Sequence, residues 1–259
     1  MSATVETPDE AIPHGGADFG ALRLGVVCPM ANESESAVRF VDTVLAECKR
    51  YGFKSVTLFV ILDTVSRDGT RELLEAHEPL QPELRVIWAP ETQGVADAYV
   101  RGYREAIADG SDWILEIDAG FSHDPAEMGK FFDALAEGRD CVFGSRFREG
   151  GRNLGTLRRR VISRGGTALA NSLLGTRLTD MTSGYELFTR ETLEAVLAKG
   201  ISSKGPFFQT EIKAYCRNLR CAEIPIQYNA GNHSVGARAI GESLRNLGRL
   251  FRRRIAGDL

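Results

Sequence analysis

The chain has 259 residues, 43% of them hydrophobic and 26% charged, which is ordinary globular material and enough for one large core. A net charge of -3 argues against the broadly basic surface of nucleic-acid binders, so no nucleic-acid partner is expected. No uninterrupted apolar run approaches the ~20 residues of a spanning helix, so the chain is not expected to thread a membrane. Five cysteines (Cys28, Cys48, Cys141, Cys216 and Cys221) form no CxxC pair and read as reduced core thiols, which points to a cytoplasmic location.

Residues 1–20 mix acids, prolines and glycines without periodicity and read as a disordered tail. From Leu22 the pattern alternates. LRLGVVCP is followed by the helical SAVRFVDTVLAECKR, SVTLFVIL by DGTRELLEA, LRVIWAP by VADAYVRGYREAIA, and then comes DWILEID. Continuous apolar runs separated by amphipathic ones indicate buried parallel strands with helical crossovers. The expected class is α/β, an open and mostly parallel sheet flanked by helices, over residues 21–235.

Such sheets bind ligands outside the carboxyl ends of their strands, here Pro29 to Glu33, Asp63 to Asp68 and Asp118 to Asp124. Neither GxGxxG after the first strand nor GxxxxGK[ST] anywhere is present, which argues against a dinucleotide oxidoreductase and a P-loop ATPase. Asn32 or Ser34 is suited to cap the first helix and Asp68 the second, while Asp124 followed by Pro125 is a cap and first-turn pair. Asp118, with Glu116 two residues earlier on the same strand face, has no such role; a carboxylate there calls for a cation.

The second half clusters Arg146, Arg148, Arg152, Arg158, Arg159, Arg160 and Arg164. Arg159 and Ser163 stand four apart on one helix and suit a single phosphate. TSGYELFTR reads equally as a turn into an edge strand or as a binding segment through Thr182 and Ser183. The roles of His123, Gln209 and Glu211 stay open. Residues 236–259 form a basic amphipathic helix, with Ile240, Leu244, Leu247, Phe251 and Ile255 at steps of three and four. It suits an anionic membrane surface, the favoured reading, or docking on the core.

These motifs fall in an order that resembles the family 2 glycosyltransferases of the GT-A fold, and among them the polyprenyl-phosphate (dolichol-phosphate) mannosyltransferases. VVCPMANESE, ILDTVSRDGT, EIDAGFSHDP, FGSRFREGG, RRRVISRGGTALANSLLG, DMTSGYELFTRETLE and FFQTEIKAYCRNLRCAEIPIQY carry the resemblance from about Arg23 to Tyr228. It implies an inverting transfer of a hexose from a GDP- or UDP-sugar to a polyprenyl phosphate at the cytoplasmic face of a membrane. The donor would lie at Pro29, Glu33, Asp63 and Asp118, with Mg2+ or Mn2+ on Asp118. The acceptor phosphate would lie at Arg146, Arg159 and Ser163, and Asp118 and Arg146 would be the catalytic pair. An ionised phosphate is already nucleophilic, and no general base stands out.

The chain departs from the family at Ala31, where an aromatic residue is common, at Thr64 in place of a second aspartate, and at Gly120 in place of the second acid of Asp-x-Asp. These departures leave two other readings: transfer to a soluble or glycan hydroxyl, and a non-catalytic nucleotide- or lipid-binding homologue in a membrane assembly.

Overall fold

The computed structural model describes residues 18–229 and 236–259. Its first half runs β1 (Arg23–Pro29), α1 (Ala37–Lys49), β2 (Ser55–Leu62), α2 (Thr70–His77), β3 (Leu84–Trp88), α3 (Val95–Ala108) and β4 (Trp113–Glu116). The second half adds α4 (Met128–Ala136), β5 (Cys141–Ser145), the short β6 (Arg152–Asn153), α5 (Leu157–Leu174) and β7 (Glu186–Thr189). It ends with α6 (Arg190–Ala198), α7 (Phe208–Tyr215), β8 (Cys221–Pro225), the short β9 (Gln227–Tyr228) and α8 (Ala237–Ala256).

Seven strands form one sheet in the order β3-β2-β1-β4-β7-β5-β8, with β7 antiparallel to both neighbours and the other pairings parallel. Because alternate residues of a strand face opposite ways, β1 feeds two cores. Leu24, Val26 and Cys28 pack with Phe40, Phe131 and Phe132 on one face, and Val27 packs with Tyr99, Tyr103, Phe188 and Phe208 on the other. Both faces are covered, so the strands read as unbroken apolar runs. Strand order reverses at β1, which lies between β2 and β4, and the crevice outside the ends of β1 and β4 is where such sheets take ligands.

The structure corrects several expectations. Of the expected tail, residues 1–17 lie outside the described residues, but Phe19 is core, stacked on Phe53 with ring centroids 5.0 Å apart. TSGYELFTR does not lead to an edge: β7 is interior, paired with β4 and β5, and its acid Glu186 is paired within the core by Lys213. Neither Asn32 nor Ser34 caps α1, whose cap position is Ser36. Asn32, at φ 58, instead ties the β1 loop to the β2 loop by bonding the Val65 carbonyl and the Arg67 amide. Asp68 joins the same lacing, accepting from Thr70 and from the Ser34 amide, which hold its carboxyl well below the usual range. Asp124 caps as expected, accepting from the Ala126 amide at 3.0 Å.

Helix α8 is docked. Leu247 and Leu250 are buried, Arg249 bonds Glu211 at 2.8 Å, and Arg254 bonds the Leu173 carbonyl at the end of α5 at 2.7 Å. The apolar stripe read from the sequence therefore splits: Leu247 faces the core while Leu244 and Ile255 are exposed.

Candidate active site

Asp118 follows β4 by two residues and reaches the crevice. Its Oδ1 accepts a 2.7 Å hydrogen bond from the hydroxyl of Tyr99, a fully buried α3 residue stacked on Phe208. Burial, reinforced by the Asp118 charge, pushes the Tyr99 hydroxyl well above its ordinary value, so it stays a donor and fixes the carboxylate. The Asp118 side chain is 38% exposed and lines a cavity of about 210 Å³.

His123 lies behind it. Nδ1 accepts from the Asp118 amide at 3.3 Å, and the ring stacks on Tyr185 with centroids 4.9 Å apart. Burial lowers its pKa to about 4, so at neutral pH the ring is uncharged and braces the Asp118 backbone. Glu116 does not join Asp118 as a ligand. It is fully buried, receives hydrogen bonds from Tyr103 and Gln209, and is pushed well above the carboxylate range by burial and then by Glu186. A carboxyl that keeps its proton is a poor cation ligand.

At the third departure from the family, Gly120 has φ +70 and lies against Glu33: a Cβ there would stand 2.8 Å from Glu33 Oε2. Glu33 Oε2 also accepts from Ser36 Oγ at 2.8 Å. The space a second acid would take is thus filled by a carboxylate from the β1 loop. Asp63 is buried and accepts from the Val65 amide at 2.9 Å, which shapes its own turn. Pro29 ends β1, Glu33 and Asp63 follow β1 and β2, and none of the three lines the Asp118 cavity.

Arg146 follows β5 and is held by buried Asp180 through two bonds, Nε to Oδ2 at 2.7 Å and Nη2 to Oδ1 at 2.9 Å. Burial works to raise the Asp180 pKa, but the hydrogen bonds from Arg146 outweigh it and hold the carboxyl below its ordinary value. Arg159 comes from α5 and donates to the Tyr228 hydroxyl at 2.9 Å; both guanidiniums lie 5.3 Å from the Tyr228 ring centre. Arg146, Arg159, Thr182 and Pro206 line the Asp118 cavity and also a second cavity of about 340 Å³. Ser163 lines only the second. That groove is walled by Ile162 and Leu169 of α5, Phe207, and Ile240, Leu244 and Leu247 of α8. Two arginines therefore stand between a polar chamber and an apolar groove.

The sequence profile described as Glycosyl transferase family 2 matches residues 25–197. The chain belongs to that family. This glycosyltransferase is 30% identical over 234 residues to an undecaprenyl-phosphate mannosyltransferase of Micrococcus luteus, covering 88% of this chain and 93% of the relative. It is also 30% identical over 208 residues to a polyprenol monophosphomannose synthase of Mycolicibacterium smegmatis, covering 78% and 76%. Among solved structures it resembles glucosyl-3-phosphoglycerate synthase from Mycobacterium tuberculosis. The complex of that enzyme with UDP gives a TM-score of 0.61 at 18% identity, covering 95% of this chain and 87% of that one. The complex with Mg2+ and UDP gives 0.60 at 20% identity, covering 96% and 84%. At such identities the likeness shows the shared fold of the glycosyltransferase.

The structure thus gathers Asp118, His123, Arg146 and Arg159 about one cavity and places Ser163 in the adjoining groove. Sequence reasoning missed Tyr99, Asp180 and Tyr228. Tyr99 sits on the apolar face of α3 and reads as core, and Asp180 gave no signal beyond its place beside Thr182.

Proposed function

We propose that this glycosyltransferase moves a hexose from a GDP- or UDP-sugar to the phosphate of a polyprenyl phosphate. One observation carries the reading: Arg146 and Arg159 line both the chamber that holds Asp118 and an apolar groove. A lipid phosphate suits that junction, with its isoprenoid chain in the groove and its charged oxygen toward the sugar. The relatives named for undecaprenyl phosphate and polyprenol acceptors support the same acceptor class.

The described lining of the chamber fits too. Among those residues, Asp118 serves the donor in this reading, and His123, with its pKa near 4, is a weak base at neutral pH. A hydroxyl acceptor would need its proton taken, whereas a phosphate oxygen would not. Asp118 and Arg146 are the catalytic pair in this reading, one serving the leaving diphosphate and the other the incoming phosphate. Pro29, Glu33 and Asp63 extend the donor site toward the nucleoside.

The donor set also fits Mg2+ or Mn2+. Asp118 presents a half-exposed carboxylate to the chamber. That suits an ion that binds one or two carboxylates and completes its shell with substrate phosphates and water. When bound, it would neutralise charge on the departing diphosphate.

Among the described residues no helix is long and apolar enough to cross a membrane. The surface we assign to the bilayer is the outer face of α5. There Leu157, at 69% exposure, and Val161 are one turn apart, preceded by exposed Leu154 and flanked by exposed Arg158, Arg160 and Arg164. Apolar side chains set among arginines match an anionic headgroup layer, and the groove opens beside them.

Replacing Arg159 tests the acceptor assignment. A charge-assisted bond is worth roughly 1.5–3 kcal/mol, so Arg159→Ala should lower kcat/KM for polyprenyl phosphate by roughly ten- to 150-fold. Nucleotide-sugar binding, measured by calorimetry, should hardly change. Equal losses in both would refute the placement.

A further inference from the structure

Two polar groups of the chamber lack partners among the described residues. Ser183 is 2% exposed and Gln209 is 5% exposed, both line the chamber, and neither Ser183 Oγ nor Gln209 Oε1 has a hydrogen-bond partner among those residues. Buried polar atoms are almost always bonded, and an orphan in a native fold calls for an explanation. These orphans come from different elements, the turn before β7 and the start of α7, and meet at one space.

Other groups hold both side chains in place. Lys213 Nζ donates to the Ser183 carbonyl at 2.6 Å and pairs with Glu186, so the backbone carbonyl is held while the serine hydroxyl is not. The other end of the Gln209 amide bonds buried Glu116. Whichever end of that amide faces Glu116, the opposite end stays available, and a sugar hydroxyl can donate or accept. Gly184 permits the arrangement: a Cβ there would stand 2.8 Å from Gln209 Nε2 and push the amide away. Lysine, glutamate and glycine thus build a rigid backing for two unused hydrogen-bonding groups.

The position of the chamber tells what would use them. It is bounded by Asp118, on the side of the leaving diphosphate, and by Arg146 and Arg159, on the side of the acceptor phosphate. The group between leaving group and nucleophile is the one transferred. We infer that Ser183 and Gln209 form the subsite that binds the hydroxyls of the transferred hexose. This rests on the donor reading given above and adds which residues grip the sugar.

The test separates sugar from nucleotide. Ser183→Ala and Gln209→Met are compared with wild type for binding of the tightest of GDP-mannose, GDP-glucose and UDP-glucose, and of the matching nucleoside diphosphate, by calorimetry with Mn2+ present. Each variant should bind the nucleotide sugar roughly three- to tenfold more weakly, the value of one neutral hydrogen bond, and bind the nucleoside diphosphate as wild type does. Ser183→Ala should also unfold no earlier than wild type when unliganded, since it removes a buried hydroxyl with no partner. Equal weakening of both ligands would make these residues structural and overturn the inference. Wild-type-like sugar binding in both variants would overturn it while leaving the donor reading intact. A wild-type protein that binds no nucleotide sugar would overturn both.

Discussion

Replacing Gly120 asks whether the missing second acid is a lost ligand or a glycine required by shape. At φ +70 a non-glycine residue costs about 1 kcal/mol, somewhat less for aspartate. Its Cβ would lie 2.8 Å from Glu33 Oε2, so the Glu33 carboxylate must move and release Ser36, at about 1 kcal/mol more. A second carboxylate beside Glu33 adds repulsion of about 1 kcal/mol in this partly solvated crevice. Gly120→Asp should therefore lose about 3 kcal/mol and Gly120→Ala about 2 kcal/mol, or roughly 2 °C of thermal midpoint per kcal/mol for a chain of this size. Thermal unfolding gives stability, and Mn2+ titration in the presence of nucleoside diphosphate gives metal affinity, which should fall in Gly120→Asp and vanish in Asp118→Asn. A Gly120→Asp protein as stable as wild type that binds Mn2+ more tightly would show the reasoning to be wrong.

Two further outcomes follow from groups described above. The folded pKa of His123, about 4, lies below the ordinary 6.5, so the unfolded chain takes up a proton first as pH falls. The stabilisation is complete above pH 6.5 and is lost between pH 6.5 and 4, up to about 3 kcal/mol. Glu186, pushed up to about 7 by burial, acts in the opposite sense, stabilising below its unfolded value and less as pH rises to 7. The readout is therefore the difference between wild type and His123→Phe in urea unfolding across pH 4–7; a constant difference would contradict the assignment. At the membrane surface, Leu157→Ser with Val161→Ser should cut partition into anionic vesicles by roughly tenfold or more. Ile255→Ser on α8 should change it little, and the reverse ranking would move the contact to α8.

The parallel half of the fold was legible because its strands are buried on both faces and its crossovers are amphipathic, so apolar runs mark the strands directly. Asp118 was legible for a related reason, as a carboxylate ending such a run with no cap to make. β7 was not, since Glu186 is matched by Lys213, a residue of α7 far along the chain, and a single strand does not show its partners. Partners distant in sequence also hid Tyr99 and Asp180, whose meaning depends on Asp118 and Arg146. Helix α8 misled because one periodic stripe serves two surfaces: period gives a face but not what covers it.

The place of β7 also fixes an order of assembly. β4 pairs with β1 on one side and β7 on the other, while β5 and β8 attach only through β7, with Trp113 opposite Thr189 and Cys141 opposite Phe188. A chain emerging from the ribosome can build the sheet as far as β4, but that strand then keeps an open edge until residue 189 arrives. Contacts this far apart in sequence close slowly. The Asp118 side therefore takes shape early, and the Arg146 side is hung on it last, by a strand running against the rest.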